Sequence, residues 1–243
     1  MIAFHAFTKQ YGLHRAVDAL TLNVRPGEVV GLLGPNGSGK TTSLKAAAGL
    51  ITPTSGAVLI GENARTSMDP DARRACSFLP QRVSFPEALT GREVMDFYRA
   101  LRGVSGSQAD AALRLAALNG ASTRPVSTYS GGMVQRLGLA VAVVADAPIL
   151  LLDEPTAALD PAGLEAFYEL IERLKREGRT VLFTSHQLGD VEQLADRFAV
   201  LVEGRLVAVL TREELAQRIP DRRTMRLHAF YRQLTGGDAC LAH

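Results

Sequence analysis

Residues 34–42 read Gly-Pro-Asn-Gly-Ser-Gly-Lys-Thr-Thr, set between an apolar run, Val29 to Leu33, and an alanine-rich helical segment at 41–50. Strand, glycine-rich loop and helix in that order constrain a chain strongly. Glycines let successive backbone N–H groups converge on one point, and the following helix directs its positive end there, an arrangement suited to phosphate oxygens. The loop comprises Gly34, Pro35, Asn36, Gly37, Ser38, Gly39, Lys40, Thr41 and Thr42. Within it, Lys40 can reach the β- and γ-phosphates of a nucleotide, and the Thr41 hydroxyl can ligate magnesium. The competing reading, an ordinary glycine-rich turn, needs spacing, strand and helix to agree by accident.

A chain of 243 residues, 47% of them hydrophobic, can bury a sizeable core as one large domain or one domain with a smaller lobe. Lys and Arg number 27 against 25 Asp and Glu, and no block of like charges forms a nucleic-acid arm, so no nucleic-acid partner is expected. Cys76 and Cys240 form no C-x-x-C pair, which argues against a metal or disulfide framework and suits a reducing cytosol. The longest apolar stretches, at 137–145 and Ile149–Leu152, are too short to cross a bilayer, and nothing at the N-terminus resembles a secretory signal.

Strand and helix signals alternate around the loop: strands at 2–7, 20–24 and Val29–Leu33, a helix at 41–50 and a strand at 57–60. From about 87 to 139 the pattern turns helical, with segments near 91–101 and 108–118. Strands Ile149–Leu152 and Thr180–Thr184, separated by a helix at 161–177, then restore the alternation that builds a parallel sheet. The expectation is an α/β nucleotide-binding domain over 1–219 with a helical lobe inserted at about 87–139, followed by a short tail, 220–243. In that tail Leu227, Phe230, Tyr231 and Leu234 have the spacing of a helix that packs back on the core.

Ile149-Leu150-Leu151-Leu152 runs into Asp153 and Glu154, so an apolar strand carries two carboxylates to its rim. Asp153 is suited to hold a metal, and Glu154 to orient or deprotonate an attacking water. Ser130, followed by Gly131 and Gly132, precedes an apolar helix, where it can be an N-cap or open a second anion cradle. Gln81 follows the strand-like 77–79 segment and can offer its amide to magnesium or water; a solvated surface glutamine is the other reading. His186 lies beyond a third strand end and can bond a γ-phosphate or be structural. Tyr11 offers a ring that can stack on adenine or simply pack beside its turn, and Asp160 can cap the helix at 161–177.

The ordered set of these motifs resembles the ATP-binding subunit of ATP-binding-cassette (ABC) transporters, over nearly the whole chain from about Phe4 to Val209. The resemblance implies the ABC ATPase fold: a P-loop NTPase core of mixed and parallel sheet, an antiparallel β region and an inserted helical lobe. In that family's terms Tyr11 matches the adenine-stacking aromatic, residues 34–41 Walker A, Gln81 the Q-loop and Ser130-Gly131-Gly132 the signature. Asp153 closes Walker B, Glu154 is the catalytic carboxylate, residues 158–160 match the D-loop, with Asp160 at its end, and His186 the switch histidine. Tyr129 and Met133 depart from the commonest signature, Leu-Ser-Gly-Gly-Gln. With the 89–93 stretch and the Leu234-Thr235-Gly236 tail, they look like the ATPases of ABC-2-type exporters of drugs, lipids or polysaccharides, and of relatives that serve nitrous-oxide reductase maturation. The resemblance further implies ATP and magnesium as ligands, a head-to-tail pairing with a second copy or a paralogous ATPase, and transmembrane permease subunits as partners, docked near Gln81 and residues 85–89. It implies a cytoplasmic chain lying peripherally on the inner face of the membrane. A soluble ABC ATPase acting on ribosomes or DNA is the alternative; one cassette, no long coiled-coil insertion and no basic stripe speak against it.

Overall fold

A computed structural model describes residues 1–118, 120–220 and 225–235. The first part contains β1 (Ile2–Tyr11), β2 (His14–Val24), β3 (Val29–Leu33), α1 (Lys40–Ala47), β4 (Ser55–Ile60), β5 (Arg65–Thr66), α2 (Pro70–Arg74) and β6 (Cys76–Leu79). Helices α3 (Gly91–Arg102), α4 (Gly106–Leu115) and α5 (Gly131–Val144) follow. The last part contains β7 (Ile149–Leu152), α6 (Pro161–Arg176), β8 (Thr180–Thr184), α7 (Leu188–Leu194), β9 (Arg197–Val202), β10 (Arg205–Thr211), α8 (Arg212–Arg218) and α9 (Arg226–Thr235).

Two sheets result. An antiparallel one runs β2-β1-β4-β5, and a second runs β10-β9-β3-β8-β7-β6, parallel except for β10. Every residue of β3, β7 and β8 is buried, which is why these strands read as unbroken apolar runs rather than alternations. One apolar cluster joins Phe4, Phe7 and Leu20 of the antiparallel sheet to Leu32, Leu151 and Leu182 of the other, with Leu44 of α1. Another packs Phe167 and Ile171 of α6 and Val191 of α7 on the opposite side of the parallel strands. The helices α3, α4 and α5 surround their own cluster, built on Met95, Leu113 and Leu137.

Several boundaries differ from the sequence expectation. β1 continues past residue 7 to Tyr11 because Ala6, at φ 45°, makes a bulge that shifts the register and breaks the alternation there. The helix expected at 41–50 stops at Ala47: Gly49, at φ 67°, donates to Ala46 O at 3.1 Å while Leu50 N reaches Lys45 O at 2.9 Å, a Schellman closure. α4 starts at Gly106, capped by Ser105 in a reciprocal box with Gln108, and ends before 118. α5 runs to Val144, beyond residue 139. β9, β10, α7 and α8 lie where no element was assigned from sequence. In the tail, α9 buries Leu227, Phe230 and Tyr231 and leaves Leu234 37% exposed. Gly236 and Cys240 lie outside the described residues.

Candidate functional site

The loop between β3 and α1 borders an open cleft of about 340 Å³, lined by Tyr11, His14, Ala16, Asn36, Gly37, Ser38, Gly39, Lys40, Thr41, Thr42, Gln81, Glu154 and His186. Two glycines mark points where the loop tolerates no side chain. A Cβ on Gly34 (φ 153°) would lie 2.2 Å from Leu201 O, and one on Gly39 (φ 99°) 2.5 Å from Ala16 O, at backbone angles that L side chains rarely adopt. The loop is thus clamped between β9 and β2, with the N-terminus of α1 opening into the cleft.

Lys40 is buried, and its Nζ donates to Gly34 O at 2.7 Å and Pro35 O at 3.0 Å. Burial lowers its pKa, opposed by the Glu154 and Asp153 carboxylates. Across the loop, Thr41 Oγ1 donates to Asp153 Oδ1 at 3.1 Å, and Thr184 Oγ1 donates to the same oxygen at 2.8 Å. Asp153 is 1% exposed and its Oδ2 has no hydrogen-bond partner. A hydroxyl and a carboxylate with a spare buried oxygen, on the rim of a phosphate cradle, are the donors a hard divalent cation takes when phosphates and water complete its shell. Among the described residues no three or more His, Cys, Asp or Glu side chains are placed to hold a metal ion by themselves.

Glu154 stands just past β7 in the left-handed region, φ 51°, a conformation that costs a non-glycine residue energy and occurs preferentially at functional sites. Its N–H donates to Thr184 Oγ1 at 2.8 Å, its Oε2 accepts from His186 N at 3.2 Å, and its Oε1 lies 3.0 Å from His186 Nε2. Burial, opposed by Lys40 and reinforced by Asp153, raises the Glu154 pKa to about 7, and burial lowers that of His186. Both shifts favour the neutral forms, so near neutral pH the pair can share one proton between Oε1 and Nε2.

The raised value has a consequence for stability. The folded protein keeps the Glu154 proton up to about pH 7, whereas the unfolded chain releases it near its ordinary 4.5. Unfolding therefore releases a proton between those values, and stability falls as pH rises through that window. The penalty, at most about 3 kcal/mol, is fully present above pH 7. Glu154→Gln is expected to melt higher than the parent at pH 8 and not at pH 4.5. Equal differences at both pH values, read by calorimetry, would remove the shift.

Most residues expected at the site converge there: Tyr11, loop residues 36–42, Gln81, Asp153, Glu154 and His186. Gly34 and Pro35 do not line the cleft, and their carbonyls accept from Lys40 Nζ. Tyr11 is 49% exposed, with Lys9 Nζ 5.0 Å from its ring centre. Ser130, Gly131, Gly132 and Asp160 do not border the cleft. Ser130 Oγ accepts from Met133 N at 3.3 Å and Asp160 Oδ1 from Gly163 N at 3.1 Å, so both act as helix N-caps. They neighbour each other, since a Cβ on Gly132 would lie 2.8 Å from Ala158 O. Three contributors went unassigned from sequence. His14 and Ala16 reach the cleft from the strand opposite Tyr11, and Thr184 tethers both carboxylate residues from β8. A hydroxyl ending an otherwise apolar buried strand was the available signal for Thr184.

Comparison with known proteins agrees with this geometry. Residues 17–157 match the family model described as ABC transporter. The chain is 40% identical over 211 residues to the daunorubicin/doxorubicin resistance ATP-binding protein DrrA of Streptomyces peucetius, covering 85% of this chain and 64% of that relative's length. Among solved structures, an ATP-binding subunit of an ABC transporter superposes with a TM-score of 0.86 at 27% identity, covering 97% of this chain and 99% of the other. The ATP-binding cassette MJ0796, in a dimeric post-hydrolysis state bound to ADP and Pi, superposes with a TM-score of 0.80 at 28% identity, covering 87% and 99%. A phosphate loop clamped between β9 and β2, two carboxylates carried to its rim by β7, a histidine against the second of them, and this similarity along most of the chain together make it a member of the ABC transporter family of ATP-binding proteins.

Proposed function

We propose that this chain binds and hydrolyses MgATP as the motor subunit of an ABC-2-type exporter, working as a head-to-tail dimer beneath separate transmembrane permease subunits. The observation that carries the reading is the buried Glu154 carboxylate, 3.0 Å from His186 Nε2 at the edge of the phosphate-loop cleft. Loop N–H groups and Lys40 hold the phosphates, and the Tyr11 ring stacks on the base. Thr41, Asp153 and Gln81 would hold magnesium, which would supply charge neutralisation for the phosphates. Glu154, with a pKa near the working pH, accepts the proton of the attacking water, and His186 orients that carboxylate and the γ-phosphate.

The exposed Ser130-Gly131-Gly132 segment supplies donors to the nucleotide of the facing subunit; the dimeric form of the similar MJ0796 cassette supports this arrangement. Among the described residues no helix is long and apolar enough to cross a membrane, which accords with separate permease subunits. A groove of about 270 Å³ beside Gln81, lined by Pro80, Arg82, Val83, Phe85 and Tyr98, suits a permease segment. Phe97 and Leu101 on α3 are exposed, Phe97 with its ring 5.2 Å from that of Tyr98. Such a complex lies on the cytoplasmic face of the membrane.

Ser130→Arg tests the composite site. Its long cation would occupy the place of the facing nucleotide's phosphates, so ATP affinity is expected to stay within about threefold while turnover falls at least tenfold and its dependence on protein concentration disappears. Unchanged ATPase would sink the head-to-tail arrangement.

A further inference from the structure

Helix α7 starts two residues after His186 and α6 six residues after the Glu154–Pro155 corner, so the separation of these two helices bears on where the histidine meets the carboxylate. Both helices feed one buried apolar cluster, with Phe167 and Ile171 on α6 and Leu188, Val191 and Leu194 on α7. Apolar contacts of this kind resist separation but do little to fix one register. A directional bond joins the two helices: Tyr168 Oη donates to Asp190 Oδ1 at 2.6 Å. Asp190 is only 5% exposed, and its Oδ2 has no hydrogen-bond partner. Burial and the Asp190 carboxyl both push the Tyr168 phenol above its ordinary value, so it keeps its proton and remains the donor.

Two further contacts bear on α7. A Cβ on Gly31 of β3 would lie 2.2 Å from Val191 Cγ1, so the helix already touches the strand beneath it. At the far side Glu192 Oε2 accepts from Leu227 N at 3.0 Å, tying α7 to the start of α9. The N-terminus of α7, nearest His186, has no side-chain cap from Gln187.

We infer that Tyr168 and Asp190 are positioning residues that, through their hydrogen bond, hold α7 in the register that sets the His186 imidazole against Glu154. The inference rests on the hydrolytic roles proposed for His186 and Glu154. The bond acts on the chemical step and leaves nucleotide binding alone, because neither residue borders the cleft.

The test compares Tyr168→Phe, Asp190→Asn, His186→Ala and the Tyr168→Phe/His186→Ala double variant for MgATP turnover, ATP affinity and thermal midpoint. Tyr168→Phe keeps the ring and loses only the hydroxyl; kcat is expected to fall about tenfold with ATP affinity within twofold. Asp190→Asn keeps an oxygen that can accept the phenol and should retain turnover within threefold. Once His186 is gone the strut has nothing to position, so the double variant should be no slower than His186→Ala alone. Parent-like turnover in Tyr168→Phe overturns the inference. So does a further tenfold loss in the double variant, or a parallel loss of affinity, turnover and thermal midpoint that marks a merely structural role. If Tyr168→Phe fails to fold, Asp190→Asn with turnover more than tenfold reduced likewise overturns it. Full turnover in His186→Ala would be a different failure, that of the role proposed for His186, and would be visible without any change at Tyr168.

Discussion

Glu154→Gln is expected to lower ATP turnover by about 10²–10⁴-fold while ATP remains bound and the protein accumulates as an ATP-loaded dimer. The amide has nearly the shape of the carboxylate, so the His186 N–H can still find an oxygen to donate to and the left-handed turn at 154 is retained. The variant loses the ability to take a proton. In the parent that ability is tuned by burial, which raises the carboxyl to about 7, close to where a general base works best. Single-turnover hydrolysis and size-exclusion chromatography in MgATP test both halves of the expectation. Turnover within threefold of the parent would remove Glu154 from the reaction, and a monomer in saturating ATP would separate hydrolysis from dimer closure.

Lys40→Ala is expected to weaken ATP binding by about 10²–10³-fold, because two charge-assisted hydrogen bonds to phosphate contribute roughly 1.5–3 kcal/mol each and part of that is offset by water. Lys40 sits under the loop with its Nζ on the carbonyls of Gly34 and Pro35, so a phosphate added there meets a cation already desolvated. The depressed pKa records that cost: a buried ammonium awaiting an anion is expensive. The same substitution should therefore leave the thermal midpoint without nucleotide unchanged or raised, which separates lost binding from lost folding. Isothermal titration with ATP in the presence of magnesium decides it. An affinity within threefold of the parent would show that the loop N–H groups alone hold the phosphates.

The local features of this protein could be read from its residues. The helix N-caps at Asp160 and Ser130 are where their side chains predict, and β3, β7 and β8 keep their expected bounds because buried parallel strands need no alternation to be recognised. Reading failed where the signal was interrupted or remote. The bulge at Ala6 disguised the second half of β1, and β9 was missed although it lies beside β3 at the centre of the fold. Nothing within Arg197–Val202 says which strand, 167 residues earlier, will pair with it.

The sequence by itself determined the phosphate loop, the strand that ends in Asp153 and Glu154, and the caps and glycines that start and stop the helices. These follow from backbone dihedral preferences and hydrogen bonds that act within a few residues. Only the tertiary structure decided that Thr184 would tether both carboxylate residues, that His186 would meet Glu154 across 32 positions of chain, and that the Ser130 segment would lie outside the cleft. It also decided the proton affinity of Glu154. Burial and charge at a site are sums over groups brought together by the sheet order, and no local pattern contains that sum.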